Sequence, residues 1–131
     1  MGLTMDKEYL KKVIEKEVRR IPREFRADRV VKGIIQCVLY QICTSEGLQP
    51  VPNYSHPKFR DTSVDLIAVG KDLSVVYSFA IDQTVTLQAV KGLKFFEDSQ
   101  RYFITFSRLK KKVEESKFFL EPGIEHLDIT W

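Results

Sequence analysis

The chain has 131 residues, of which 44% are hydrophobic and 30% charged, a composition that builds a core and excludes disorder or a fibrous repeat. The length predicts one domain over residues 1–131, large enough to bury a single core without disulfide or metal staples. A formal net charge of +3 permits contact with nucleic acid and is too small to demand it.

The start, Met1-Gly2-Leu3-Thr4-Met5-Asp6, lacks a basic stretch followed by an apolar one, so no secretory leader is expected. The most apolar stretch, residues 30–43, is interrupted by Lys32, Gly33, Gln36 and Gln41, which argues against a membrane span. A cytoplasmic protein with no membrane partner is the expectation. Residues 5–20 carry apolar side chains at Met5, Tyr9, Leu10, Val13, Ile14 and Val18, a helical stripe. Pro22 ends or kinks this helix, and Asp28 can cap the next. Residues 1–27 thus form an N-terminal helix and connection ahead of a core over 28–131. The second helix, residues 29–45, has Val30, Val31, Ile34, Ile35, Val38, Leu39 and Ile42, and Gly47 is placed to cap its end.

Pro50, Pro52 and Pro57 keep residues 48–59 from being a central strand; an edge strand near residues 49–54 or an ordered loop fits. Val64-Asp65-Leu66-Ile67-Ala68-Val69 and residues 73–81 predict a hairpin turning at Gly70-Lys71-Asp72. A helix over 84–97, a strand over 101–106, a basic helix over 108–119 ended by Pro122-Gly123, and a strand over 125–131 complete the chain. The order predicts an α/β fold, a mixed sheet with helices on both faces and an extra N-terminal helix.

Cys37 and Cys43 fall in one helix, roughly 9 Å apart along its axis, too far for a bridge. They read as buried structural thiols. With His56 and His126 far apart in sequence and no CxxC pair, a zinc site is not expected.

The hairpin carries the chemistry-bearing pattern. A lone aspartate, Asp65, stands in an apolar strand, and the next strand runs Tyr77-Ser78-Phe79-Ala80-Ile81-Asp82. This pair of strands resembles the active-site hairpin of the PD-(D/E)XK, or restriction-endonuclease-like, nuclease superfamily. There the second strand bears an acid, a spacer and a lysine, and the acids hold Mg²⁺ or Mn²⁺ for phosphodiester cleavage. The resemblance implies that Asp65 matches the metal-binding aspartate, Ser78 the second acid and Ala80 the lysine. The family's proline before the aspartate is Val64 here. The likeness covers most of the chain from about Arg29 in the order αβββαβ, while its specific motif covers only Asp65 to Ala80. It implies a degenerate member in which only the first group survives and no cofactor is held. The bland alternative is that Asp65 caps a turn or pairs with a cation.

Asp82 lies on Ser78's face but roughly 13 Å along the strand, too far to fill the same metal position. Lys91, or Lys94, projects from the following helix and offers a relocated lysine. Gln88 matches the glutamine of RecB-like members, although Gly92 stands where their tyrosine follows. An active Mg²⁺- or Mn²⁺-dependent nuclease with relocated groups is therefore one alternative; an unrelated small α/β assembly domain is another.

Two surfaces suggest nucleic-acid contact. Arg19, Arg20, Arg23, Arg26 and Arg29 cluster around the first helical break, where Glu15, Glu17, Glu24 and Asp28 can equally neutralise them. Tyr54, His56, Lys58, Phe59 and Arg60 interleave aromatic and basic groups, a pattern that serves base stacking or loop packing. Arg108, Lys110, Lys111, Lys112 and Lys117 form a further basic zone beside Glu114 and Glu115. Phe95, Phe96, Phe118, Phe119 and Trp131 suggest an apolar homodimer face. The reading is a catalytically inactive nuclease-like domain that binds DNA, RNA or a protein partner.

Overall fold

The computed structural model describes residues 5–131. Helix α1 (Lys7–Arg19) begins at Asp6, whose side chain accepts from the Glu8 N–H at 3.0 Å. Leu10, Ile14 and Val18, one helical turn apart, are fully buried. Beyond Pro22, Arg26 folds back to donate to the Ile21 and Arg19 carbonyls, satisfying acceptors that the helix end leaves open.

Helix α2 (Asp28–Ser45) buries Val31, Ile35, Val38, Leu39 and Cys43. Asp28 is its first helical residue and not its cap: Ala27 occupies the cap without a side-chain bond, and the acid instead meets the positive end of the helix dipole. Gly47 adopts φ +82°, and bonds from the Gly47 N–H to the Thr44 carbonyl and the Leu48 N–H to the Cys43 carbonyl close a Schellman end.

Five strands follow in spatial order β1-β2-β3-β4-β5: β1 (Gln49–Tyr54), β2 (Val64–Val69), β3 (Val75–Asp82), β4 (Gln100–Thr105) and β5 (Ile124–Asp128). The β1-β2-β3 meander is antiparallel; β4 and β5 add parallel to β3 through α3 (Leu87–Lys94) and α4 (Lys110–Ser116). The αβββαβ order is present from α2 to β4. Pro50 and Pro52 pair with Ala68 and Leu66 in the edge strand β1, so their nitrogens face outward, where no ladder donor is required.

Several boundaries differ from the periodicity. Leu73 has φ 66° and lies in the hairpin loop, because Asp72 accepts from the Ser74 N–H and hydroxyl and tightens the turn. Helix α3 starts at Leu87, where Thr86 caps the Ala89 N–H, and α4 gives way to a 3-10 turn at Lys117–Phe119. Residues 129–131 leave the ladder. The Ile129 N–H and the Trp131 indole donate instead to the Thr105 and Phe106 carbonyls.

Two cores flank the sheet. Alternate residues such as Leu66, Tyr77, Phe79, Ile81, Tyr102, Ile104 and Leu127 meet α1 and α2. Ile67, Ala80 and Phe103 meet Val90 and Leu93 of α3 on the other side. Among the described residues no helix is long and apolar enough to cross a membrane.

Candidate functional site

The β2–β3 register pairs Leu66 with Phe79 and Ile67 with Ser78, and continued by one residue it sets Asp65 against Ala80. The Asp65 carboxylate takes two partners there. Its Oδ2 accepts from the Ile81 N–H at 2.6 Å, and its Oδ1 faces the Lys32 Nζ at 3.1 Å. Gln36, one turn further along α2, donates to the Asp65 carbonyl at 2.7 Å and to the Asn53 side chain at 3.1 Å. Helix α2 thus fixes both ends of this residue. Lys32, an interruption in an apolar sequence, turns out to be the partner of Asp65.

Asp65 opens on a cavity of about 380 Å³ that Lys32, Asp61, Asp82, Thr86 and Gln88 also line. Ser78 and Ala80 are absent from its lining and almost wholly buried. Ser78 shares a 2.8 Å hydrogen bond with Ser99, which itself donates to the Phe96 carbonyl, so the Ser78 hydroxyl is the donor. Ala80 sits among Val90, Leu93 and Phe103. The residue judged too distant, Asp82, is the one that shares the cavity with Asp65, because the register sets Asp65 two positions nearer to it than Ser78 stands.

Gln88 is occupied structurally: its side-chain amide donates to the Asp61 carbonyl at 3.0 Å. Lys91 lines a neighbouring cavity with Asp61 and Gln88 and not the cavity of Asp65. Lys94 pairs with Glu121 at 3.1 Å. A Cβ at Gly92 would stand 3.1 Å from the Ser63 carbonyl oxygen, so α3 lies too close to the start of β2 for a tyrosine there.

Mg²⁺ or Mn²⁺ requires several oxygen ligands converging on one point. The only acid of the motif is engaged by Lys32 and the Ile81 N–H, and no group of three His, Cys, Asp or Glu side chains among the described residues could hold a metal ion. The residues do not fit the metal that the family resemblance implies.

Much of the arginine run is consumed internally. Arg19 donates to the Thr130 carbonyl and faces Glu15, Arg20 pairs with Glu17, and Arg26 closes α1; Arg23 is exposed on the connecting turn. The aromatic residues of the proline-rich segment pack against Phe95 and Phe96, with Phe59 still exposed on one side. Phe59 stacks on Phe95 with centroids 4.0 Å apart, His56 lies against both rings, and Tyr54 meets Phe96 edge-on. Lys58 and Arg60 remain exposed. Of the proposed dimer face, Phe96 is buried and Trp131 lies under Arg108, while Phe118 stands out at 87% exposure.

The cysteine reading needs one correction: Cys43 is buried, but Cys37 is exposed on the outer side of α2, a consequence of their spacing. Burial, then the Glu46 charge, pushes the Cys43 thiol up to about 12 and keeps it protonated.

A second polar cluster, unreadable from sequence, lies between β4 and β5. The buried Thr105 hydroxyl is 2.8 Å from His126 Nε2 and 2.8 Å from Asp128 Oδ1, and Lys110 holds Asp128 at 3.1 Å. The carboxylate can only accept, so Thr105 donates to Asp128 and receives the His126 Nε2 proton. Burial first, then Lys117, lowers the His126 pKa from its ordinary value.

No family model and no curated protein matches the sequence. Among solved structures, a repair endonuclease from Pyrococcus abyssi is similar over 72% of this chain and 44% of its own, at 18% identity and a TM-score of 0.40. The chain therefore spans less than half the length of that endonuclease. The fold itself is α/β: a five-stranded mixed sheet whose elements run αβββαβ from α2 to β4.

Proposed function

We propose that this chain is a nuclease-like domain without cleavage activity, acting as a nucleic-acid-associated binding module. One observation carries the reading: Asp65, the only retained acid of the motif, is tied by Lys32 and the Ile81 N–H, while the places of the second acid and lysine are core positions. Phosphodiester hydrolysis assisted by metal needs carboxylates free to converge on one ion, and both oxygens of Asp65 already have partners within the protein. Exposed Lys58, Arg60 and Lys91 support the binding half of the reading, since phosphate contact supplies most sequence-independent affinity.

The test incubates labelled single-stranded and duplex DNA, and RNA, with the protein in Mn²⁺, in Mg²⁺ and in EDTA. The expected result is intact substrate throughout, with anisotropy showing binding that weakens as salt rises. Mn²⁺-dependent cleavage abolished by Asp65→Ala would overturn the inactive reading and establish a relocated active site. Absence of binding to every nucleic acid would overturn the binding reading in favour of a protein-interaction module.

A further inference from the structure

Phe59 is pinned flat against Phe95, the two planes 16° apart, yet remains 44% exposed. One face of the ring is used by the protein and the other looks outward. The loop bearing it is braced: the Phe59 N–H donates to the His56 carbonyl, the Thr62 N–H to the Phe59 carbonyl, and Gln88 of α3 to the Asp61 carbonyl. Along α3, Leu87, Lys91 and Phe95 are spaced at i, i+4 and i+8 and share one side of the helix. Between that side and the loop lies a cavity of about 440 Å³ that Lys91, Leu87 and Thr62 line, within the range of small-ligand sites.

The charges around this platform are open. Lys58, Arg60 and Lys91 are exposed and form no ion pair among the described residues, whereas Lys32, Lys94, Lys110 and Lys117 each face a carboxylate. Asp61 lines the same cavity and offsets one of the three. A preorganised aromatic face beside unneutralised cations is the combination that holds unpaired nucleotides, because every base has a π-face and every linkage a charge.

We infer that the outer face of Phe59 receives a base of single-stranded nucleic acid, whose neighbouring phosphates contact Lys58, Arg60 and Lys91. The inference rests on the binding half of the function proposed above and names its site. A duplex is the poorer ligand, because its bases are already stacked on one another.

The experiment is fluorescence anisotropy in EDTA with a labelled oligothymidylate of about 15 nucleotides and a hairpin duplex of similar length. The single strand should bind more tightly, and its log affinity should fall against log salt with a slope of about −2, as three phosphate contacts require. Phe59→Ala should lose about tenfold or more in affinity without altering that slope, and Phe59→Tyr should retain binding. Arg60→Gln and Lys91→Gln, both at exposed positions that do not threaten the fold, should each reduce the slope by about 0.7. Binding of the duplex equal to that of the single strand would overturn the inference. So would unchanged affinity in the Arg60→Gln, Lys91→Gln double variant, or complete displacement by polyglutamate at matched charge. Cleavage in Mn²⁺ would sink the inactive reading while leaving this platform intact; single-strand binding left unchanged by Phe59→Ala would sink the platform alone, and absence of binding to either oligonucleotide would sink the binding reading with it.

Discussion

The Asp65 carboxylate accepts from the Ile81 N–H at 2.6 Å and faces the Lys32 ammonium at 3.1 Å. The first contact is a charge-assisted bond to a backbone donor inside the sheet. The second involves a lysine whose side chain is 43% exposed, so water screens it. Lys32→Met should therefore change stability by less than about 1 kcal/mol. Asp65→Ala should cost about 1–3 kcal/mol, because it strands the Ile81 donor. Urea unfolding measures both, and equal costs would show that the ion pair dominates. His126 gives a pH signature. Its pKa is depressed in the folded state by burial and then by Lys117, and Lys7 acts in the same direction, while Asp128 and Glu114 partly oppose them. The unfolded chain therefore takes up this proton first, near the ordinary value of about 6.5. The contribution is fully present above that pH and declines as pH falls through the folded value. His126→Asn should flatten the melting-temperature profile between about pH 7 and pH 5 relative to the parent chain. A parallel profile would mean that the native environment does not depress His126.

At the scale of elements, two glycines in helices answer to different neighbours. A Cβ at Gly33 of α2 meets nothing within 4 Å, so Gly33→Ala should stabilise by about 0.5–1 kcal/mol through helix propensity alone. A Cβ at Gly92 of α3 stands 3.1 Å from the Ser63 carbonyl and 3.5 Å from Val64. Gly92→Leu should destabilise by about 1–3 kcal/mol, the usual cost of overpacking. Thermal unfolding of the two variants checks both signs, and a stabilising Gly92→Leu would mean that α3 can move off β2. The α3 side chains were periodic enough to read as a helix over residues 84–97, yet the Thr86 cap and the packing of Val90 and Leu93 shorten it to Leu87–Lys94.

For the whole molecule, the five-stranded sheet exposes edges at β1 and β5. The outward nitrogens of Pro50 and Pro52 deprive the β1 edge of donors for a further strand. Pro52→Thr should leave the fold intact and introduce concentration-dependent association, read by sedimentation velocity. A monomer at every concentration would show that something other than proline protects this edge. The opposite side of the molecule is fastened by long-range polar contacts. The Thr130 N–H donates to Glu15 at 2.8 Å, Arg19 donates to the Thr130 carbonyl, and Lys7 faces Glu125. These contacts tie the last residues to α1, so the N-terminal helix is fastened to the sheet at its C-terminal edge.

The sequence by itself determined most of the elements and their order, and kept residues 48–59 from the middle of the sheet while leaving edge strand or loop open, because periodicity, capping and proline chemistry act over a few residues. It also marked Asp65 as a lone acid in an apolar strand. Only the tertiary structure decided what surrounds that acid. Lys32 is 33 positions away and reaches Asp65 because α2 crosses the sheet there. Ser78 and Ala80 became core residues, and Asp82 a lining residue, through the one-residue precision of the β2–β3 register. The Thr105–His126–Asp128 cluster likewise exists only once β4 and β5 lie side by side. Local pattern fixes which strands form, while the pairing of strands distant in sequence fixes which side chains meet.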